Sequence, residues 1–106
     1  MSDELEFEWD AEKERINLKK HGVSFLTAAA IFDHATLQKV DDRQDYGEER
    51  LIALGQADLN VYRVAFTWRG ENRIRIINAK RARKNEQEAY YREIHQERDP
   101  SDAGSR

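Results

Sequence analysis

The apolar positions of this chain change period several times, and each change marks an element. Leu5, Phe7 and Trp9 alternate with Glu6 and Glu8, the period-2 signature of a half-buried strand. Asp10 then fits a helix N-cap, with Glu12 and Glu14 in the first turn. Lys19, Lys20, His21 and Gly22 close that helix, placing cations on the last carbonyls and a glycine where positive φ is needed. Val23 and Ser24 supply a staple and N-cap for a second short helix, running through Ala28, Ala29 and Ala30 to Phe32. Residues 36–41 predict a weak strand, 42–48 an acidic loop, and 50–54 a better strand closed by Gly55 and a turn over 57–60. Residues 61–68 and 73–80 carry the strongest strand signals, and 83–98 predict a helix with a thin apolar face of Ala89, Tyr90 and Ile94. The order β-α-α-β-β-β-β-α predicts an α+β fold. Its expected form is an antiparallel β-sheet with two N-terminal helices and a C-terminal helix, all packed on one face.

The last hairpin permits a register. Tyr62, Val64, Phe66 and Trp68 share one face, as do Ile74 and Ile76, so matching apolar faces requires paired residue numbers with an even sum. A three-residue loop Arg69-Gly70-Glu71 pairs Trp68 with Asn72 and Phe66 with Ile74. On the opposite face Arg63 and Arg75 then become diagonal neighbours roughly 7–8 Å apart, over a floor of Ala65 and Thr67. The expected result is a shallow cationic basin about the width of a phosphate.

With 106 residues the chain suits one domain, expected over 1–98. The segment 99–106, which holds the only proline at Pro100 and lacks large apolar residues, is expected to be a disordered tail. No cysteine is present, which removes disulfide, thiolate-zinc and thiol chemistry. No apolar run approaches the roughly 18 residues of a membrane span, and the acidic start is no signal peptide, so a cytoplasmic domain is expected. The net charge of −3 hides a strong asymmetry. Six carboxylates and no Lys or Arg fall within residues 1–12, while 63–84 carries eight cations against a single acid, Glu71. Such a patch on an acidic chain suits a polyanion, although a charged strand edge that discourages aggregation has the same composition.

Three histidines are available for proton transfer. His95 falls near a helix end and reads as solvated, and His34 reads as a turn residue. His21 has two open readings, helix capping or acid–base chemistry. No HxxxH or HxH spacing exists, so no metal or other cofactor is expected. The acidic loop offers Asp42, Arg43, Tyr46, Glu48, Glu49 and Arg50, either as a solvated loop or as a source of bases beside the basic basin. The glycines form no phosphate-loop spacing, and no Ser-His-Asp set is evident.

Taken together, Phe7-Glu8-Trp9-Asp10, Lys13, Asn17, Lys20-His21-Gly22, Phe25, Ala28 and Phe32-Asp33 resemble the opening of the BrnT toxin family. The likeness continues through Asp42, Tyr46-Gly47-Glu48-Glu49-Arg50 and Gly55. It then runs through Ile74-Arg75-Ile76-Ile77-Asn78-Ala79-Lys80-Arg81-Ala82 to Glu86 and Tyr90. The resemblance implies a RelE-like fold and a type II toxin–antitoxin role: a ribonuclease that arrests translation and is neutralised by a BrnA-like ribbon-helix-helix antitoxin. It further implies that the pair represses its own operon, so operator DNA is met through the antitoxin. Three positions depart from the family pattern: Asn78 replaces a usual Ser, Lys80 replaces the first Arg of the run, and Arg83 occupies the helix start. The N-cap is therefore expected to move to Asn85, and Lys80 lacks the planar fork that grips a phosphate.

As a metal-independent endoribonuclease, the chain would use Arg75 and Arg81 to stabilise the phosphorane, His21 as acid or base, and Glu48 or Tyr46 as its partner. Lys20, Tyr46, Arg50, Arg63 and Lys80 are the expected RNA contacts. The competing readings are a non-catalytic binding subunit that acts with antitoxin and DNA, and a decayed toxin that retains only the fold.

Overall fold

Local chemistry sets the first elements. In a computed structural model that describes residues 4–98, the Asp10 carboxylate accepts the backbone N–H groups of Glu12 and Lys13 at 2.8 and 3.1 Å and starts α1 (Ala11–His21). Gly22, at φ 72°, ends it by donating its N–H to the Leu18 carbonyl at 2.8 Å. Ser24 caps α2 (Phe25–Ala30), and a 3-10 turn (Ile31–Asp33) finishes the helical stretch short of the continuous helix expected. The tail over 99–106, the first three residues of the acidic start and the side chain of His95 lie outside the described residues.

Five strands follow the order β1-β5-β4-β3-β2, with β1 (Glu6–Glu8), β2 (Leu37–Val40), β3 (Leu51–Ala57), β4 (Asn60–Trp68) and β5 (Arg73–Arg81). The sheet is mixed rather than antiparallel, because β1 runs parallel to β5, with Phe7 beside Ile74. That pairing carries Phe7 to the core face, where its ring lies 5.7 Å from Phe32. β3 extends through Gly55 instead of stopping there. Glycine is needed inside this strand: a Cβ at position 55 would sit 2.8 Å from the Ile31 Cβ.

Helices cover both faces, correcting the one-sided packing expected from the sequence. Phe25, Ala28 and Ile31 pack with Ala53, Val64, Phe66, Ile74, Ile76 and Ala79 on one side. On the other side α3 (Lys84–Arg98) lays Tyr90 and Ile94 on Leu54, Val61 and Ala82. The sequence concealed this because β4 is apolar on both faces. Asn85 lies inside α3 rather than capping it; Glu86 reaches back to the Arg83 N–H at 2.8 Å, the returning half of a capping box.

The hairpin register also needs correction. Trp68 pairs with Ile74 and Phe66 with Ile76, so the loop is displaced by one residue and closed by Arg69 N–H to the Arg73 carbonyl at 2.8 Å. Beyond Phe66 the sum turns odd, since Ala65 pairs with Asn78 and Ile77 is left as a bulge. The bulge lets Ile74, Ile76 and Ala79 all join the same core despite their spacing. Arg75 therefore stands opposite Thr67, and Arg63 opposite Lys80. Four residues of strand separate the two arginines, about 13 Å. Arg63 forms an ion pair with Glu86 at 3.2 Å. The expected Arg63/Arg75 basin does not form.

Candidate nucleic-acid interface

The cations gather instead at the edge of β5 that β1 leaves open. Asn17, which is buried, donates its amide to the carbonyls of Ala79 and Val23 at 2.9 and 3.0 Å and accepts the Ala79 N–H at 3.1 Å. A side-chain amide thus replaces the missing neighbouring strand and locks α1 beside β5. Helical spacing then sets Lys13, Ile16, Lys20 and His21 along one flank of α1. They line a cleft of about 400 Å³ whose opposite side comprises Ile77, Asn78 and Lys80 of β5, with Arg63 and Arg43. Six basic side chains meet here, His21 among them, and none of the described lining residues is a carboxylate.

This electrostatic setting acts on His21. Its pKa is lowered, first by partial desolvation and then by repulsion from Lys20 and Lys80, which favours the neutral imidazole. The helix terminus is capped by Gly22, leaving the His21 ring in the cleft.

Of the residues expected from the sequence, Lys20, His21, Arg63 and Lys80 are brought together, while Arg75, Arg81, Glu48, Tyr46 and Arg50 are outside the cleft lining. Arg75 is half-buried opposite Thr67, and Arg81 ends β5 exposed. Arg50 is held by charge and stacking, with Nε 3.5 Å from Glu48 and its guanidinium 4.0 Å from the Tyr46 ring centroid. The basic segment is also less free than its composition suggests: Arg69 and Arg73 bind Glu8 and Glu6 at 3.3 and 3.0 Å, as Arg63 binds Glu86. Asn17, Lys13 and Arg43 were not singled out as site residues. The spacing of Lys13, Asn17, Lys20 and His21 on one helix is a usable signal; Arg43 is offered by the sequence only as a member of the acidic loop, because a loop cation's position depends on long-range packing.

A larger cavity of about 610 Å³ lies elsewhere, lined by His34, Gln56, Asp58 and Tyr90 among others, with no Lys or Arg among its described lining residues. Size alone does not identify the site, and the chemistry favours the smaller cleft. Among the described residues no group of three or more His, Asp or Glu side chains is placed to hold a metal ion, and no helix is long and apolar enough to cross a membrane.

Residues 9–86 match the family model for the ribonuclease toxin BrnT of type II toxin–antitoxin systems. The chain is also similar to the 1.1 Å crystal structure of the Brucella abortus ribonuclease toxin BrnT. The TM-score is 0.58 at 26% identity, covering 76% of this chain and 99% of that one. No curated protein matches it.

Proposed function

The chain belongs to the BrnT family of ribonuclease toxins from type II toxin–antitoxin systems, and from that premise we propose that it is an endoribonuclease whose α1–β5 cleft holds RNA. The carrying observation is a cleft that brings five Lys and Arg side chains together with His21, and no carboxylate among its described lining residues, on an acidic protein. Local cations, not net charge, set affinity for phosphate. In this reading the RNA 2′-OH attacks the adjacent phosphate, leaving a 2′,3′-cyclic phosphate and a 5′-OH. Neutral His21 takes the 2′-OH proton as base, Lys20 and Lys80 stabilise the charge that builds on the phosphorane, and as the P–O5′ bond breaks the leaving 5′-oxygen takes a proton from water. Arg75 and Arg81, farther along β5, and Tyr46, Arg50 and Glu48, on the loop before β3, serve the strand beyond the cleft. The reaction needs no metal, the fold is RelE-like, and cleavage arrests translation in the cytoplasm. A ribbon-helix-helix antitoxin neutralises the toxin and joins it on operator DNA.

The test is RNA cleavage by purified protein in chelator, with the product ends identified. Lys20→Ala combined with Lys80→Ala should lower the rate by about 10²–10³-fold, by analogy with the loss of transition-state donors, at an unchanged melting temperature. A wild type that arrests growth without cleaving RNA would sink the enzymatic reading and favour a binding subunit. A wild type that does neither is a decayed toxin.

A further inference from the structure

Arg43 sits on the loop between β2 and β3, yet it lines the α1–β5 cleft. The reason is Asp41. Its N–H donates to the Arg50 carbonyl at 2.7 Å, continuing the β2–β3 ladder by one rung, so the sheet fixes the direction of its side chain. That side chain is only 3% exposed, and it accepts Arg43 Nε at 2.7 Å and Nη2 at 2.9 Å. The Tyr46 hydroxyl donates to the same carboxylate at 3.3 Å, and Arg50 stacks on the Tyr46 ring. Arg43 therefore spends one side of its planar fork on a buried anchor. Nη1 carries no hydrogen bond among the described residues.

We propose that Arg43 is a further phosphate-contacting donor of the cleft, and that Asp41 is the positioning residue that presents it. This rests on the cleft being the RNA site. Because Asp41 neutralises Arg43, the pair adds little net charge to the cleft. Its contribution is a directed hydrogen bond, with the rotamer freedom of a long side chain removed before RNA arrives. Two consequences distinguish this from a merely structural ion pair. A lysine at position 43 retains charge but loses the fork, so it cannot both hold Asp41 and contact phosphate. Removing the Asp41 charge frees a cation that binds RNA more strongly but in the wrong place.

The experiment compares single-turnover cleavage and the salt dependence of RNA binding. It uses the wild type, Arg43→Ala, Arg43→Lys, Asp41→Asn and the double variant Asp41→Asn/Arg43→Ala. Arg43→Ala and Arg43→Lys should each lower the rate at saturating RNA about tenfold, as expected for one charge-assisted hydrogen bond. Asp41→Asn should lower the rate similarly while its binding becomes steeper in salt by about 0.7 in log–log slope, the value for one added single-strand phosphate contact. The double variant has no orphaned carboxylate, so it keeps the test sound if Arg43→Ala folds poorly. It should be no slower than the slower single variant. Full activity of Arg43→Lys, or of Asp41→Asn with an unchanged salt slope, overturns the inference and leaves the cleft intact as the site. A wild type that fails to cleave RNA overturns the parent reading and the inference together.

Discussion

On the face that carries α1 and α2, Phe25, Ile31, Val64, Phe66, Ile74 and Ile76 are each less than 2% exposed. The face that carries α3 has a smaller cluster of Leu54, Val61, Ala82, Tyr90 and Ile94, bordered by the Arg63–Glu86 ion pair. Buried Asp41 and Thr67 also belong to this half, where Thr67 donates to the Glu49 carbonyl at 2.7 Å. The difference is one of tolerance. A face filled by interlocking aromatic and branched side chains fixes the backbone, whereas a face with fewer apolar contacts can accommodate polar groups that are paired. The basic cleft forms at the margin, where α1 of the first face meets the uncovered edge of β5. Its cations therefore stand on rigid supports.

The comparison breaks most readily at the two cores. Phe66→Ala should cost about 3–5 kcal/mol of unfolding free energy, because a fully enclosed ring leaves a cavity its neighbours cannot fill. Ile94→Ala, in the thinner cluster, should cost about 2 kcal/mol, the lower end of the range for such truncations. Urea unfolding of both variants measures the gap; equal losses would show that the faces contribute alike.

Polar supports provide the next test. Asn17→Ala removes three hydrogen bonds and orphans the Ala79 N–H in a buried setting, so about 1–3 kcal/mol should be lost. Glu86→Gln breaks an ion pair whose side chains retain 16% and 22% exposure, and should cost no more than about 1 kcal/mol. It should also tighten RNA binding, by releasing Arg63 to the cleft. Tighter binding from Asn17→Ala instead would reverse the assignment of which contact supports the cleft and which masks it.

Much of this architecture was legible before the structure. Asp10, Ser24 and Gly22 carry their capping instructions locally, and the two strongest strands declared themselves by composition. The side of the sheet taken by α3 was not legible, because alternation on β4 offers Val61 and Ala65 on one face and Tyr62, Val64 and Phe66 on the other. The register was half legible. Parity held from Trp68 to Phe66, then failed at a one-residue bulge that no local signal announces. In the site, Lys20, His21, Arg63 and Lys80 were named from charge, but the Arg63/Arg75 pairing inherited the register error. Arg43 was legible only as part of the acidic loop, because its place in the cleft is set by Asp41 and Tyr46 through tertiary packing rather than by sequence spacing.

Acid separates the faces without mutation. Asp41 has a pKa lowered from 3.8 to about 2, chiefly by hydrogen bonds from Arg43, against the opposing effect of burial. A carboxylate with a depressed folded pKa stabilises the protein above its unfolded pKa, and that contribution disappears as pH falls from about 4 toward 2. The half of the sheet around Asp41 should loosen first, seen as faster amide exchange at Asp41 and Arg43 than at Val64 or Ile76. Asp41→Asn should flatten this part of the stability–pH curve.

The smallest expected effect lies at the margin itself. His21 is depressed below 6.5 by burial, Lys20 and Lys80, in that order. For a histidine with a lowered folded pKa the unfolded chain binds the proton more readily. The favourable term is therefore present above the unfolded pKa and is lost as pH falls through it and past the folded value. Lys80→Gln removes one repelling charge and leaves the burial, so the His21 pKa should rise only partway back toward 6.5. Imidazole proton shifts followed by NMR measure this directly, without any RNA present. If His21 is the base in cleavage, the acidic limb of the kcat/KM profile should move upward by the same amount in that variant, because this limb reports the free enzyme. A shift in the NMR titration with no shift in the rate profile would leave His21 as a spectator of the cleft's charge and assign the proton transfer to another group.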